Sequence, residues 1–401
     1  MITVSHAMIY AVGDVFVDRD DPTTAFSTGR IAPGDGLLFG NCEGVFADTW
    51  QRAPSCGSPV VAPADRAKRL GEAGFSVMSL ANNHSVDGGY QALLSCRDTL
   101  HALGITTAGA GENIAAARQP AQNTLDGTSI ATLAYSAVFP HGYEARAAYP
   151  GLAPVRAHTI YTPWETNEWN PGIAPRVTTQ PFPEDLAAFQ DDIARAASSS
   201  DVVMVSVHWG DFTQPLVLTD HERRLAHAAV DAGADIVLGH HHHMLRGIEF
   251  YRGKPIFYGL GHYLFDLPNL PNLPQRLAKD GYLGSGNPGD ARALARRFNQ
   301  YRLGPREGYP LLPFHEDSRM TGMAVVQIDD GVITGVGFRP ALLGPSNNPE
   351  HVHPTSPTGR KILDYVQQCC DAEGLGTRIE LAGTSGLPDD AALITSADAS
   401  Q

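Results

Sequence analysis

The sequence predicts an α/β fold, and three observations lead there. Short apolar runs with the character of buried strands recur along the chain; segments with helix spacing stand between them; and strand-like runs repeatedly stop at polar, metal-capable residues. Strands alternating with helices build sheets covered by helices, and ligand sites in such folds lie where strand ends converge. The 401 residues allow two domains or one large domain with insertions, at roughly 100–200 residues per domain.

The first run, MIYAVGDVFV, reads as a buried strand ending at Gly13–Asp14, and GLLFGNCEG as a second ending at Asn41 and Glu43. Pro63 is a start signal for a helix over Ala64–Ala73, because its fixed φ suits the first helical turn. FSVMSLANNH is a strand that stops at Asn82, Asn83 and His84. Tyr90–Leu103 has helix spacing and is closed by Gly104, which tolerates the left-handed geometry of a helix end. Ser129–Ala137 is the next strand, and from about 139 to 182 the periodicity breaks into a Pro/Gly-rich stretch read as a functional insertion. A helix over Glu184–Ala197, the strand DVVMVSVHWG, a helix over Asp220–Ala232 and the strand ADIVLGHHHH follow. A hairpin turning at Arg252–Gly253, a second irregular insertion over about 267–320, a hairpin turning near Asp330–Gly331 and a helix over Thr358–Ala372 complete the chain. The expected organisation is a domain over 1–345 and a C-terminal helical extension over 346–401 packed on it.

Charge and composition exclude several classes. With 29 Lys+Arg against 43 Asp+Glu the formal charge is −14, and no basic stripe is present for a phosphate backbone or an anionic membrane. No run approaches the ~20 apolar residues of a span, and MITVSHAMIYAVGDV has no cationic n-region, so neither a membrane nor a signal peptide is expected. Five cysteines without CxxC spacing fit a reducing compartment, so the expected location is the cytoplasm. Nothing in the sequence bears on oligomeric state.

Five strand ends carry metal-capable or acid/base groups: Asp14, Asn41/Glu43, Asn82/Asn83/His84, His208 and His240/His242. Each has a bland reading as a capping, turn or core residue, but the recurrence points to one site. Alternation sends His240 and His242 to one face of a strand-like segment; imidazoles bind divalent cations and carboxylates add the charge that holds them. Asp87 lies three residues after His84, and Asp211 three after His208. Either carboxylate can orient its imidazole or simply stabilise a turn. Which histidines are ligands and which move protons stays open at this level.

These residues carry a resemblance. GDVFVDRDDP, NCEG, ANNHSVDGG, VHWGDF and GADIVLGHHHHMLRGIEFYRGKPIFYGLGHYLFD resemble, in order and spacing, the CapA-type (poly-γ-glutamate capsule protein) family of the calcineurin-like metallophosphatase superfamily. The resemblance implies a four-layer α/β/β/α sandwich with metals at the strand ends, here carrying the two irregular insertions read above. It also implies metal ligation by Asp14, Asn41, Glu43, Asn83, His208, His240 and His242. One departure stands out: Asp14-Val15-Phe16 puts a phenylalanine where the superfamily's Asp-x-His carries a metal-binding imidazole. A site short of that imidazole suits a single hard cation, Ca²⁺ before Mg²⁺ or Mn²⁺.

Within the family the chain is similar to the lasso-peptide epimerases, which invert the α-carbon of a C-terminal tryptophan in a ribosomal precursor peptide. That likeness implies His84/Asp87 and His208/Asp211 as acid/base pairs, a divalent metal, a precursor peptide as partner and no organic cofactor. GAGEN at 109–113 falls short of a dinucleotide fingerprint. Trp164, Trp169, Tyr161 and His262 are candidates to line a peptide pocket, and Arg246 or Arg319 to meet a terminal carboxylate, although the aromatics would serve equally in a satellite core. The alternative activity is hydrolysis of phosphoester, γ-glutamyl or peptide bonds.

Overall fold

The computed structural model describes residues 6–27, 31, 36–163, 175–212, 214–268, 307–312, 314–381 and 386–397. His6–Phe16 is the axis of the first sheet. It runs parallel to Leu37–Cys42, antiparallel to Met320–Asp329 and, at its C-terminal end, parallel to His262–Phe265. Val77–Ser79 and Thr106–Ala108 extend the sheet on one side; Val332–Leu343, Ala392–Ser396 and Thr377–Glu380 extend it on the other. The second sheet runs Ile248–Tyr251, Lys254–Phe257, Ile236–His240, Val202–His208, Thr128–Ser136, Ala121–Leu125.

Side-chain alternation explains the layering. In the first strand Ala7, Ile9 and Ala11 join the core shared with Val203, Val205 and Val237 of the second sheet. Tyr10 and Val12 point the other way, into a core with Leu70, Ala73 and Leu100 from the helices Lys68–Ala73 and Tyr90–Ala102. Phe39 and Leu38 divide between the two cores in the same manner. Each large apolar side chain so buried contributes about 1.5–3 kcal/mol. The second sheet is backed by Pro183–Ala197 and Asp220–Asp231, through Phe189, Ile193, Leu225 and Ala226. The layers are therefore helix, sheet, sheet, helix, the sandwich expected from the resemblance.

The helical extension expected over 346–401 is richer than that. Beside the helix Pro357–Ala372, it adds the strands Pro349–His351, Thr377–Glu380 and Ala392–Ser396 to the first sheet. These runs are too short to show periodicity, and an open sheet edge with unpaired backbone groups supplies their conformation. The first insertion contains a hairpin, Ala157–Thr162 with Arg176–Pro181; most of the second lies outside the described residues. Among the described residues no helix is long and apolar enough to cross a membrane, and all five cysteines are buried free thiols.

Candidate metal centre

The parallel registers bring strand ends level with one another. Asp14 pairs with Asn41 on one side and His262 on the other, while His208 pairs with His240 in the second sheet. The two central strands thus deliver Asp14 and His208 from opposing sheets to the same edge of the sandwich. Close backbone approach is part of the construction: a Cβ on Gly13 would lie 1.8 Å from the Gly261 carbonyl oxygen, and the Asp14 N–H donates to that oxygen at 2.9 Å.

Three overlapping sets of ligand-type atoms result, each within 4.8 Å of one another: Asp14, Glu43 and His208; Glu43, His241 and His243; and Asp14, His243 and His262. Around His208 Nε2 lie Asn83 Oδ1 at 2.6 Å, His241 Nδ1 at 3.1 Å and Glu43 Oε1 at 3.6 Å. His243 Nδ1 faces Asp14 Oδ2 at 3.2 Å, and its Nε2 faces Glu43 Oε1 at 3.7 Å. Asn41 donates to Asp14 Oδ1 at 2.9 Å, and its own oxygen accepts from Asn82 at 3.1 Å. Asn41 therefore steadies Asp14, and Asn82 steadies Asn41.

These residues fit a cation. Both Glu43 carboxylate oxygens and both ring nitrogens of His240 and His262 are buried without a hydrogen-bond partner, a condition that costs about 1–3 kcal/mol per group unless something meets them. Burial alone would raise the Asp14 carboxyl, but the facing His243, with His240 and His208 beyond it, drives it well below the ordinary carboxylate range. Burial and the neighbouring Asp14 push Glu43 well above that range. Burial holds His208, His241 and His262 far below the usual imidazole value, and His240 at about 4. Neutral imidazoles and an ionised Asp14 are the forms that bind a divalent metal, and Glu43 would release its proton as the metal enters.

A dyad stands beside this cluster. His84 Nδ1 lies 2.7 Å from Asp87 Oδ2, and Asp87 also accepts from the Val60 N–H at 2.8 Å and the Tyr143 hydroxyl at 2.7 Å. The His84 N–H donates to Asn82 Oδ1 at 3.1 Å, the side-chain-to-backbone turn that Asn favours. Asp87 is buried whereas the His84 side chain is 22% exposed, so the dyad has a fixed end and an open one.

Other expected residues are placed differently. Alternation does not carry past His240, where the strand ends; His241 and His243 take left-handed backbone conformations (φ 97° and 55°) and turn towards the carboxylates. His242 turns away and bonds Glu222 at 2.8 Å through Nε2, so the structure sets it apart from the three ligand groups. The His208–Asp211 pair is not formed: His208 meets Asn41, Asn83, His241 and Glu43. Arg246 is 1% exposed and donates to the carbonyls of Asp211 and Gln214 at 3.1 and 2.8 Å, so it braces the loop after His208 instead of opening to a substrate carboxylate. Arg319 donates to the Leu343 carbonyl at 3.1 Å and lies over Tyr309. Tyr161 is exposed on the insertion hairpin; Trp164 and Trp169 fall outside the described residues. His262 is fully buried beside Asp14. Phe16 stacks on Phe46 with centroids 5.0 Å apart.

Sequence reasoning missed His241, His243, Tyr143 and Glu222. The run of four histidines was a signal for the first two, but the turn that selects between them has no period. Tyr143 and Glu222 reach the site from an irregular segment and a helix start, without a local mark.

Residues 9–267 match the family model described as "Bacterial capsule synthesis protein PGA_cap". The PGA biosynthesis protein CapA of Bacillus subtilis is 32% identical over 202 residues, covering 50% of this chain and 45% of that protein. A "Probable polyglutamine synthesis accessory protein" of Mycobacterium tuberculosis is 33% identical over 230 residues, covering 56% and 52%. The matches thus span about half the length of these relatives. Among solved structures, the calcineurin-like phosphoesterase YfkN of Bacillus subtilis aligns with 93% of this chain and 99% of its own, at 12% identity and TM-score 0.34.

Proposed function

We propose a function from one premise: this chain belongs to the bacterial capsule synthesis protein PGA_cap family. The proposed activity is metal-dependent epimerisation of the C-terminal residue, a tryptophan, of a ribosomal lasso-peptide precursor. The observation that carries it is the His84–Asp87 dyad, an oriented and partly exposed imidazole beside a buried carboxylate–imidazole cluster.

Asp14, Glu43 and His208 would hold the cation, Ca²⁺ in the first instance. When bound, it supplies fixed positive charge that favours negative charge on the neighbouring carboxyl or carbonyl of the substrate. His84 takes the α-proton at Nε2, and the electron pair of the C–H bond passes into the adjoining carbonyl. Asp87, itself held by the Tyr143 hydroxyl, holds the His84 ring so that Nδ1 keeps its hydrogen. His241, close enough to His84 for their charges to oppose one another, is the second imidazole; to give a proton to the opposite face it must enter the step carrying two ring protons, a state the charge of the bound substrate carboxyl favours against its burial. His208, enclosed by two asparagines and His241, is assigned to the cation. A positioned acid or base is worth roughly 10²–10⁴-fold.

The experiment incubates the metal-loaded protein with precursor peptides in D₂O and follows mass and chirality at the C-terminal α-carbon. Deuterium uptake with inversion is expected. With two imidazoles on opposite faces, His84→Ala and His241→Ala should each stop inversion while retaining α-exchange with one epimer only, a different one for each variant. Unchanged peptide mass and chirality in the wild type would sink the proposal.

Hydrolysis of a γ-glutamyl, peptide or phosphoester bond is the second reading. What favours it is that two ligand groups share Asp14, leaving donors for a second cation, while the relatives are named for PGA biosynthesis and polyglutamine synthesis. It predicts release of amine or phosphate without α-exchange.

A further inference from the structure

Resting on the cation-holding cluster proposed above, we infer that His262 is a metal ligand, completing with Asp14 and His243 an ion site distinct from the one at Asp14, Glu43 and His208. His262 begins the strand His262–Phe265, which runs parallel to the end of His6–Phe16 with His262 directly beside Asp14. Its ligand atom lies within 4.8 Å of those of Asp14 and His243. The side chain is fully buried, and neither ring nitrogen has a hydrogen-bond partner.

Packing alone does not account for an imidazole here. His262 sits against Phe314 and Phe265, with centroids 4.4 and 5.1 Å away, and its other neighbour is His243 at 4.6 Å. A phenylalanine would fill such a wall without burying polar nitrogens, each of which costs about 1–3 kcal/mol when unmet. Phe265 and Phe314 also flank His243, at 5.5 and 4.6 Å. The two rings are therefore held by one aromatic enclosure and share Asp14 as the nearest anion. On the Asp14 strand itself, the next residue but one is Phe16, whose ring is engaged with Phe46 and Phe265 and offers no ligand. His262 reaches Asp14 from the adjacent strand, so the imidazole comes from a different part of the chain. Nitrogen, nitrogen and carboxylate oxygen form a set suited to Mn²⁺, Fe²⁺ or Zn²⁺ more than to Ca²⁺, which prefers oxygen throughout.

The test titrates chelator-treated full-length protein with Mn²⁺ by calorimetry and with Co²⁺ by ligand-field absorption, comparing wild type with His262→Phe. The variant is expected to lose one class of Mn²⁺ site, or to bind there at least about tenfold more weakly, and to lose the matching Co²⁺ band. The site containing Glu43 and His208 should be retained. Thermal melting checks the fold, and His262→Asn, smaller and still polar, repeats the measurement should His262→Phe not fold. Unchanged Mn²⁺ stoichiometry and affinity in either folded variant would overturn the inference and leave the proposed function standing. A wild-type protein that binds no Mn²⁺, Ca²⁺ or Co²⁺ would overturn both.

Discussion

Replacing Asp87 by Asn tests the dyad most sharply, because the structure fixes what the amide can and cannot satisfy. Asp87 Oδ2 accepts from His84 Nδ1 and the Val60 N–H, and Oδ1 accepts from the Tyr143 hydroxyl. An amide NH₂ at the first position would face two donors. The Asn must therefore keep its oxygen there and direct its NH₂ at Tyr143, whose hydroxyl can rotate to accept. Geometry is preserved and charge is lost. Hydrogen bonds to a charged group are worth about 1.5–3 kcal/mol, and at 1.36 kcal/mol per decade this amounts to a rate loss of roughly 10- to 150-fold. The loss should fall on kcat of α-proton exchange with KM little changed, because Asp87 is buried away from substrate. Folding stability, by urea titration, should fall by only about 1–2 kcal/mol. A variant with wild-type exchange rate, or one that lost affinity instead of turnover, would refute the assignment of His84 and Asp87 as a working pair.

Chelator should lower the melting temperature, and a cation at about 100 times its Kd should restore roughly 2.7 kcal/mol; an unchanged melting curve would argue against a cation in the cluster. Chelator-treated protein should lose stability as pH falls from 6.5 towards about 4.5. His208, His241 and His262 stay neutral when folded, and so does His240 down to about 4, whereas unfolded histidines take up a proton near 6.5. Each contributes up to about 1.4 kcal/mol per pH unit. Glu43 and Asp18, both raised in the folded state by burial, work in the opposite sense but are two groups against these four histidines, so a flat urea midpoint over this range would contradict the burial argument. Glu222→Ala should cost about 3–5 kcal/mol by urea unfolding, because Glu222 both meets His242 and completes a capping box with Thr219; a loss under about 1 kcal/mol would show His242 to be satisfied otherwise.

Much of this was legible in the sequence because it depends on period. Continuous apolar runs gave the central strands, and the polar residues that ended them, Asp14, Asn41, His208 and His240, do meet at one edge. What period does not encode was missed. His241 and His243 face the carboxylates only because the backbone turns left-handed after His240, and the expectation for His242 failed at that turn. His262 reaches Asp14 through strand register between distant parts of the chain. Asp211 lies at the right sequence distance from His208, yet His208 is already met by Asn41 and Asn83. Spacing proposes a partner, and packing chooses one.

The tight seam between Gly13 and Gly261 sets a rule for inheritance as well as for shape. Neither residue has any reactive group, yet adding a single methyl at Gly13 would collide with main chain, not with a side chain that can swing aside. Such a lesion would prise Asp14 from its neighbours and disable the protein while every functional side chain stayed in place. Natural variation should therefore be more forgiving at exposed positions of the insertion hairpin than at this chemically silent glycine.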